Sequence, residues 1–248
     1  MLKRLFLFAV VSSIFMPIQA RASEPLVADL SSHLIAITTG FTGTELLLFG
    51  TTKDDGDVVV VVRGPNEEVV VRKKDRIAGI WMNSDGMIFN AVPAFYYVAA
   101  TEGVEFNLPI HELRRHQIGV DNIRMTPPIG RTDSEVAEFQ ESIVRLREAA
   151  GLYTGKPGLV EKRGQRLFRT KVLFPSNVPV GTYIIETLLV RNGTVESAQT
   201  TPLFVSKVGS GAEIFLLAQN HGAIFGILSI LIAVLAGYGA NWLFKRIG

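Results

Sequence analysis

Two histidines five residues apart, His111 and His116, come closest to a metal-binding pattern in this 248-residue chain. Zinc sites on helices place their histidines four residues apart, so that both rings lie on one face. A spacing of five turns the second ring about 140° away from the first. We therefore expect a polar surface helix at this position and no metal site.

Acidic residues concentrate at Asp54, Asp55 and Asp57, a composition that calcium sites share. Calcium takes six to eight oxygen ligands, and an EF-hand loop ends in a bidentate glutamate at its twelfth position. A loop that began at Asp55 would end at Asn66, which is not a glutamate. We interpret this stretch as a hairpin turn.

Other catalytic patterns are weak or missing from the sequence. No serine has the G-x-S-x-G context, and no Ser–His–Asp order stands out. The chain has no cysteine, which removes thiol nucleophiles, cysteine zinc sites and iron–sulfur clusters. Acidic pairs of the glycosidase kind occur in any chain and are unspecific. We predict no catalytic residue, no metal and no cofactor, and hence a protein that is not an enzyme; an unrecognised hydrolase is the alternative.

Two basic stretches are the stronger candidates for binding. The first spans residues 72–76, and the second spans residues 145–171 with eight basic residues against two glutamates. They could hold an anionic ligand, lipid headgroups or an acidic partner; solvated loops and lysine-protected sheet edges are the ordinary alternative. The candidate surface residues are Arg72, Lys73, Lys74, Arg76, Arg163, Arg166, Arg169 and Lys171.

The N-terminus has the layout of a secretory signal peptide. Lys3 and Arg4 precede an apolar stretch over residues 5–15, and an Ala-Arg-Ala sequence ends at Ala22. The apolar stretch is short for a bilayer core of about 30 Å. We predict a signal peptide over residues 1–22, cleaved after Ala22 or after Ala20, with an uncleaved anchor as the alternative.

The C-terminus predicts a membrane anchor. Residues 222–244 contain no charged residue, and 23 residues of helix are about 34 Å long. Lys245 and Arg246 follow at once, and basic residues mark the cytoplasmic side of a span. We predict one transmembrane helix over 222–244, a linker over 209–221 and a cytoplasmic tail over 245–248; a buried core helix is the alternative.

These two ends place residues 23–208 in the periplasm of a bacterial cell, on an inner-membrane anchor. Together with the linker up to Glu213, this exported part carries 20 basic and 23 acidic residues, a net charge of −3. We therefore expect no nucleic-acid binding, although the sequence pI is about 8.9. Because the chain has no disulfide, the exported domain must be stable through its core.

The exported domain contains many short stretches that are rich in β-branched and large apolar residues, with turn residues between them. We predict strands at residues 33–38, 45–51, 57–62, 68–73, 79–82, 87–92, 95–99, 166–174, 183–190, 194–199 and 203–208. Turns are predicted at Thr42–Gly43, at residues 83–86 and at Asn192–Gly193, the last typical of a two-residue hairpin. Asn192 also begins a glycosylation sequon, which we consider the weaker interpretation.

Two helices interrupt the strands. A short one is predicted over residues 109–117, and Thr132 with Glu135 has capping-box spacing before a longer helix that ends at Gly151. The longer helix has an apolar face of Val136, Phe139, Ile143, Leu146 and Ala150.

This pattern predicts a mainly β fold: an immunoglobulin-like antiparallel sandwich with a helical insertion around 109–151, plus one C-terminal transmembrane helix. Tyr183 would lie at a corner of that sandwich. We expect Trp81 and the aromatic residues at 95–97 in the core, with an interaction face as the alternative.

Small residues recur along the membrane helix at steps of three and four. They are Gly222, Gly226, Ser229, Ala233, Gly237 and Ala240. Such a stripe lets helix backbones approach closely, although small residues are common in membrane helices anyway. It is a candidate interface with another membrane helix.

Several segments together resemble a known family. They are residues 33–50, Val62–Pro65 (Val-Arg-Gly-Pro), residues 72–83, residues 92–97 and the C-terminal span. With the N-terminal signal they resemble the alphaproteobacterial putative transmembrane protein family almost end to end. The resemblance implies a topology but no activity, because the family is uncharacterised. As a lead, it implies a position beside permeases of the sulfite-exporter type.

We therefore expect a single-pass inner-membrane protein whose periplasmic domain serves as a non-enzymatic subunit of a membrane complex. Its partners would be membrane lipid and an integral membrane protein such as a transporter of oxyanions or sulfur compounds; a second copy of the chain is the alternative. A periplasmic module that binds an anion or an envelope polymer is the second hypothesis.

Overall fold

The computed structural model describes residues 25–77, 79–102, 108–209, 218–219 and 221–247. The described strands and helices follow in chain order: β1 (Leu26–Leu30), β2 (Leu34–Ile37), β3 (Gly43–Thr52), β4 (Asp57–Arg63), β5 (Asn66–Ile77), β6 (Ile80–Pro93), β7 (Tyr96–Ala100), α1 (Ile110–His116), a 3₁₀ turn (Val120–Asn122), α2 (Asp133–Ala149), β8 (Gly158–Leu159), β9 (Glu161–Arg163), β10 (Leu167–Pro175), β11 (Gly181–Arg191), β12 (Thr194–Lys207) and α3 (Gly222–Ile247). The predicted signal peptide and most of the predicted linker lie outside the described residues.

The strands form two main sheets and a separate ribbon. One sheet has the order β1-β3-β10-β9, the other has the order β2-β12-β11-β4-β7-β8, and β5 pairs only with β6. The pairing is antiparallel except for two short parallel pairs, β2 with β12 and β7 with β8. The predicted fold class, a mainly β sandwich with helices inserted between strands and one apolar C-terminal helix, is confirmed.

The core lies between the two main sheets. Phe95 stacks on Phe174 of the opposite sheet with ring centroids 5.0 Å apart, and Tyr183 packs its edge against Phe174 at 5.8 Å. The central strand β4 lies between β11 and β7, and its five valines, Val58 to Val62, are all buried. A continuous valine run suits this position because both faces of the strand are covered.

The structure confirms those sequence predictions that involve only a few consecutive residues. Thr132 and Glu135 form the predicted capping box at the start of α2. Asn192 and Gly193 join β11 to β12 with φ angles of 49° and 73°, as a type I′ turn requires. The Tyr183 hydroxyl donates to the Pro179 carbonyl oxygen at 2.7 Å, which is the expected corner.

Four expectations about the strands need correction. The turn predicted at 83–86 lies inside β6, and the chain reverses instead between Ile77 and Ile80. Thr42–Gly43 does not close a hairpin, because β2 and β3 belong to different sheets. The segments 194–199 and 203–208 form the single strand β12, and β1, β8 and β9 were not predicted.

The aspartate-rich turn also differs from its prediction. It carries the chain from β3 in one sheet to β4 in the other, so it is a crossover and not a hairpin. Lys162 binds Asp55 at 3.3 Å and Asp57 at 3.6 Å, and the hydrogen bond from Lys162 lowers the pKa of Asp55.

Candidate functional site

The ribbon of β5 and β6 is a direct continuation of the β4–β7 pair beyond the sandwich. Gly64 N donates to Phe95 O at 2.8 Å, and Ala94 N donates to Pro65 O at 2.8 Å, so the ladder runs on without a break. Asn66 then pairs with Pro93. We call residues 66–93 the finger. A Cβ atom on Gly64 would lie 2.9 Å from Phe95 N, so glycine allows the two strands to pass closely here.

The finger bends where its register shifts. One shift lies between Glu67 and Val69, and a second lies between Arg72 and Lys74. At the second, Ser84 and Asp85 of β6 stand opposite the single residue Lys73, which is the arrangement of a β-bulge. This bulge explains why the turn-like sequence at 83–86 fits inside a strand.

Helix α2 and the residues just before it contact the half of the finger that is nearer the sandwich. Arg131, two residues before the first residue of α2, donates to both carboxylate oxygens of Asp85, at 2.9 Å and 2.8 Å. Lys73 donates to Glu138 at 2.9 Å. Arg147, near the end of the helix, pairs with Glu67 at the base of the finger.

The pKa directions follow from these contacts. The hydrogen bonds from Arg131 hold the pKa of Asp85 below its usual value of 3.8, and the hydrogen bond to Glu138 raises the pKa of Lys73. Both pairs are exposed, so they fix the position of the finger more than they stabilise it.

A groove of about 510 Å³ lies between α2 and β5. Val71, Phe139 and Leu146 supply its apolar side chains. Its basic side chains come from the first predicted stretch and from α2: Arg72, Lys73, Lys74 and Arg145. An anionic group with an apolar portion would fit this combination of charge and surface.

The tip of the finger extends beyond its contacts with α2 and is apolar. Ile80, Trp81 and Met82 are 66%, 68% and 51% exposed. Trp81 pairs across the ribbon with Arg76, which is also exposed. The expectation that Trp81 lies in the core is therefore wrong, whereas the aromatic residues at 95–97 are buried as expected.

The later part of the second basic stretch, residues 162–169, lies at the other end of the sandwich, whereas Arg145 and Arg147 of the same stretch lie on α2 beside the finger. Leu167 pairs with Thr51 near the end of β3, and Lys162 reaches the crossover that leads into β4. The finger leaves from the opposite end of β4, after Arg63. Arg145 therefore shares the groove with the first stretch, whereas residues 162–169 lie on a different surface.

Neighbouring acidic side chains also offset most of the positive charge of the second stretch. Arg169 and Arg163 bind Glu161 at 2.9 Å and 3.4 Å, and these contacts, Arg169 first, lower the pKa of Glu161. Lys171 binds Glu45 of the adjacent strand at 2.8 Å. Arg166 lies in the turn between β9 and β10, where its carbonyl oxygen accepts a hydrogen bond from Thr52.

A largely half-buried polar cluster holds α1 at the base of the finger. Glu186 of β11 accepts from Arg63 at 2.8 Å, and its other oxygen lies 2.8 Å from His116 Nδ1. Glu112 Oε2 lies 3.6 Å from His116 Nε2 and has no hydrogen-bond partner. The predicted surface helix is thus half-buried through Glu112 and His116, and sequence reasoning missed Arg63 and Glu186.

This cluster does not form a metal site. Within the described ranges, no group of three or more histidine, cysteine or acidic side chains could hold a metal ion. Arg63 and Glu186 neutralise each other within the cluster, which is the arrangement expected of a structural contact.

One helix in the described part of the chain is long and apolar enough to span a membrane. Its apolar segment is Gly222–Asn241, with a mean hydropathy of 2.2, and none of it is buried against the rest of the chain. At 100° per residue, the six predicted interface residues fall within about 80° of one another on α3. They are Gly222, Gly226, Ser229, Ala233, Gly237 and Ala240, and all of these are exposed or half-buried. The Ser229 hydroxyl donates to Phe225 O at 2.8 Å within the helix.

Comparisons with known proteins identify a family and a distant structural likeness. A protein-family model described as "Putative transmembrane protein (Alph_Pro_TM)" matches residues 25–246. No curated protein matches the chain. A chain in a solved structure described as the structural basis of T cell specificity and activation by the bacterial superantigen toxic shock syndrome toxin-1 is 8% identical, with a TM-score of 0.29, and the match covers 74% of this chain and 99% of that one.

Proposed function

Because the chain belongs to the alphaproteobacterial transmembrane protein family Alph_Pro_TM, we propose that it is a single-pass inner-membrane protein whose periplasmic, immunoglobulin-like domain serves as a non-enzymatic subunit of a membrane complex. Helix α3 would anchor the chain. The basic residues Lys245 and Arg246 support a cytoplasmic C-terminus, since such residues remain on the cytoplasmic side of a span. The signal-like sequence over residues 1–22 supports export of the sandwich.

The observation that carries this proposal is the unused space beside the glycines of α3. A Cβ atom added at Gly222, Gly226 or Gly237 would meet nothing within 4 Å. Glycine in a helix interior costs about 0.8–1.0 kcal/mol relative to alanine. No close contact within the described residues and no positive φ explains these glycines. A closely packed helix of another protein would explain why they lie on one face.

The experiment compares Gly→Leu variants of α3 in which the substituted glycine lies either on the proposed interface or on another face of the helix. Gly226→Leu and Gly237→Leu place a bulky side chain on the proposed interface. Gly239→Leu is the matched control, because this glycine lies 200° around the helix from Gly237 and also has open space beside it. The full chain is extracted from native membranes in mild detergent, and the size and composition of its complex are measured.

We expect the unaltered chain to migrate in a complex with a multi-span protein such as a transporter. The Gly226 and Gly237 variants should run as free chains, while the Gly239 variant should keep the complex. A free chain in several detergents and in native membranes would refute the proposal. A complex of this chain alone would also refute it, because it would show self-association.

The groove between α2 and the finger favours a second candidate function, the binding of an anionic ligand or envelope polymer. Its basic rim includes Arg72, Lys74 and Arg145. Thermal unfolding with sulfite, sulfate, phosphate and soluble polyanions tests this, since a bound ligand stabilises the folded state. Salt-sensitive stabilisation that Arg145→Gln removes would support the ligand site. No stabilisation by any of these anions would exclude them as ligands.

A further inference from the structure

We propose that the tip of the finger inserts into the surface of the same membrane that α3 spans, with Ile80, Trp81 and Met82 in the interfacial region and the neighbouring basic side chains on anionic headgroups. The inference goes beyond the proposed function, because it concerns lipid contact by the sandwich itself. It depends on the anchor but not on any protein partner.

The register of the large sheet shows at which end the finger leaves the sandwich. Strand β12 leads toward the membrane helix, and it ends at Lys207. Near that end Pro202 pairs with Ile184, and Ile184 pairs with Arg63, the last residue of β4. Strands β4 and β12 both run antiparallel to β11, so they finish at the same end of the sandwich. The finger therefore leaves the sandwich at the end from which the chain continues to the membrane.

The lengths of the two segments are compatible. Strand β5 has 12 residues, which corresponds to at most about 40 Å at ~3.3 Å per residue, because the finger bends at its register shifts. Fourteen residues separate Lys207 from Gly222, and an extended chain of that length reaches about 50 Å at most. The anchor thus allows the sandwich to stand one finger length above the membrane.

The composition of the tip fits a lipid interface. Tryptophan is enriched where a protein crosses the headgroup region, because its ring has an apolar body and a polar N–H group. Ile80 and Met82 add exposed apolar surface on both sides of Trp81. Three exposed apolar residues in a row are unfavourable in water, and nothing in the described part of the chain covers them.

The charges near the tip complement an anionic membrane. Alternation along β5 places Arg72, Lys74 and Arg76 on one face of the strand, and all three are exposed. Arg76 also donates to the Gly79 carbonyl oxygen at 3.2 Å, so its guanidinium group lies beside the turn. Long basic side chains can place their charge among headgroups while their stems follow the apolar surface.

The rigid base of the finger would hold the tip in place. Its ion pairs with α2 reach as far as Lys73 and Asp85, and the exposed apolar residues lie beyond them. A fixed finger loses little conformational freedom when its tip enters the interface. For that reason a few apolar side chains suffice.

The test uses the native tip as its own reporter. The chain has two tryptophans, so Trp242→Phe leaves Trp81 as the only one. This full-length variant is reconstituted into vesicles of phosphatidylcholine and phosphatidylglycerol, with or without bromine on the phosphatidylcholine acyl chains. Bromine quenches tryptophan fluorescence only on contact within the bilayer.

Two control variants accompany it. Trp81→Phe reports on Trp242 in the anchor and must be quenched if reconstitution succeeded. Leu167→Trp, in a chain without the native tryptophans, places a reporter on a residue that is 44% exposed at the far end of the sandwich. This reporter should remain unquenched.

We expect Trp81 to lose most of its emission in the brominated vesicles and to emit at shorter wavelength than in water. Arg76→Gln should lower the equilibrium for insertion about fivefold, since a basic residue at an anionic surface contributes ~1 kcal/mol. Equal Trp81 emission in brominated and ordinary vesicles, with Trp242 quenched, would overturn the proposal. A short-wavelength but unquenched Trp81 would overturn it too, because the tip would then lie against protein.

Discussion

Two residues on one face of α2 provide a test of how the finger is held. Phe139 is 6% exposed and Leu146 is 60% exposed, although both contribute to the same apolar stripe and both line the groove next to β5. We expect Phe139→Ala to destabilise the protein strongly and Leu146→Ala to change little. The expected difference in stability comes from burial alone, because both residues lie on the same apolar face by helical periodicity.

The expected magnitudes are well separated. Truncation of a buried phenylalanine to alanine costs about 3–5 kcal/mol. Leu146 keeps less than half of its side chain from water, and complete burial of a leucine contributes about 1.5–3 kcal/mol, so its truncation should cost roughly 1 kcal/mol or less. Phe139→Ala should also loosen α2 from the finger, since Phe139 and Val71 line the same groove and belong to the same core cluster.

The assay is urea unfolding of the full chain in detergent micelles, followed by far-ultraviolet circular dichroism, with hydrogen exchange of the β5 and β6 amides. Phe139→Ala should lower the unfolding midpoint and speed exchange in the finger. Leu146→Ala should leave both near their original values. Equal losses in the two variants, or a larger loss for Leu146→Ala, would refute this account of the packing.

Three further changes test other contacts. Glu186→Ala should cost about 1–3 kcal/mol in urea unfolding, because it leaves the half-buried Arg63 without its carboxylate. The additional change Arg63→Met should recover part of that loss. Exchange protection in the finger should fall as the pH drops below 3.8, the ordinary pKa of this carboxyl group, toward the lower pKa that Asp85 has beside Arg131 in the folded protein. The pair stabilises the protein fully above the ordinary pKa, and this stabilisation is lost once the folded protein takes up the proton and Asp85 releases Arg131. Gly50→Ala should destabilise by about 1–3 kcal/mol, since its Cβ would lie 2.4 Å from a backbone oxygen of β1.

Each of these changes has an outcome that would contradict the structure. For the polar cluster, it is an Arg63→Met, Glu186→Ala double variant that is no more stable than Glu186→Ala alone. For the ion pair, it is a pH dependence that Arg131→Met leaves unchanged. For the sheet, it is a Gly50→Ala midpoint equal to that of the original protein.

Elements that depend on neighbours in sequence could be predicted. The capping box of Thr132, the apolar period of α2 and the Asn192–Gly193 turn each involve only a few consecutive residues. Strand positions were also predictable in most cases, because β-branched runs indicate strands wherever they pair. The sheet to which each strand belongs could not be predicted, because it depends on pairing partners far along the chain. Strands β2 and β3, which are neighbours in sequence but lie in different sheets, show this.

The candidate site was less predictable, for the same reason. Arg72 to Arg76 could be recognised as a basic stretch, but its position on a projecting ribbon depends on the ladder that β4 and β7 continue. Trp81 is a large apolar residue of the kind that is usually buried. It is exposed because it lies beyond the last contact between the finger and α2. Glu186 lies 123 residues from Arg63 in sequence, and a single glutamate in an apolar strand gives no signal of its partner.

The central claim, a sandwich held outside the cytoplasm by one C-terminal helix, is tested most directly by side-specific labelling. Because the chain has no cysteine, each single substitution introduces the only thiol. Leu167→Cys places it in the sandwich, and Gly248→Cys places it on the other side of the proposed span. A maleimide that crosses the outer but not the inner membrane should label the Leu167 variant in intact cells and the Gly248 variant only after the inner membrane is opened. Labelling of the Gly248 variant in intact cells, with the Leu167 variant protected, would contradict the account.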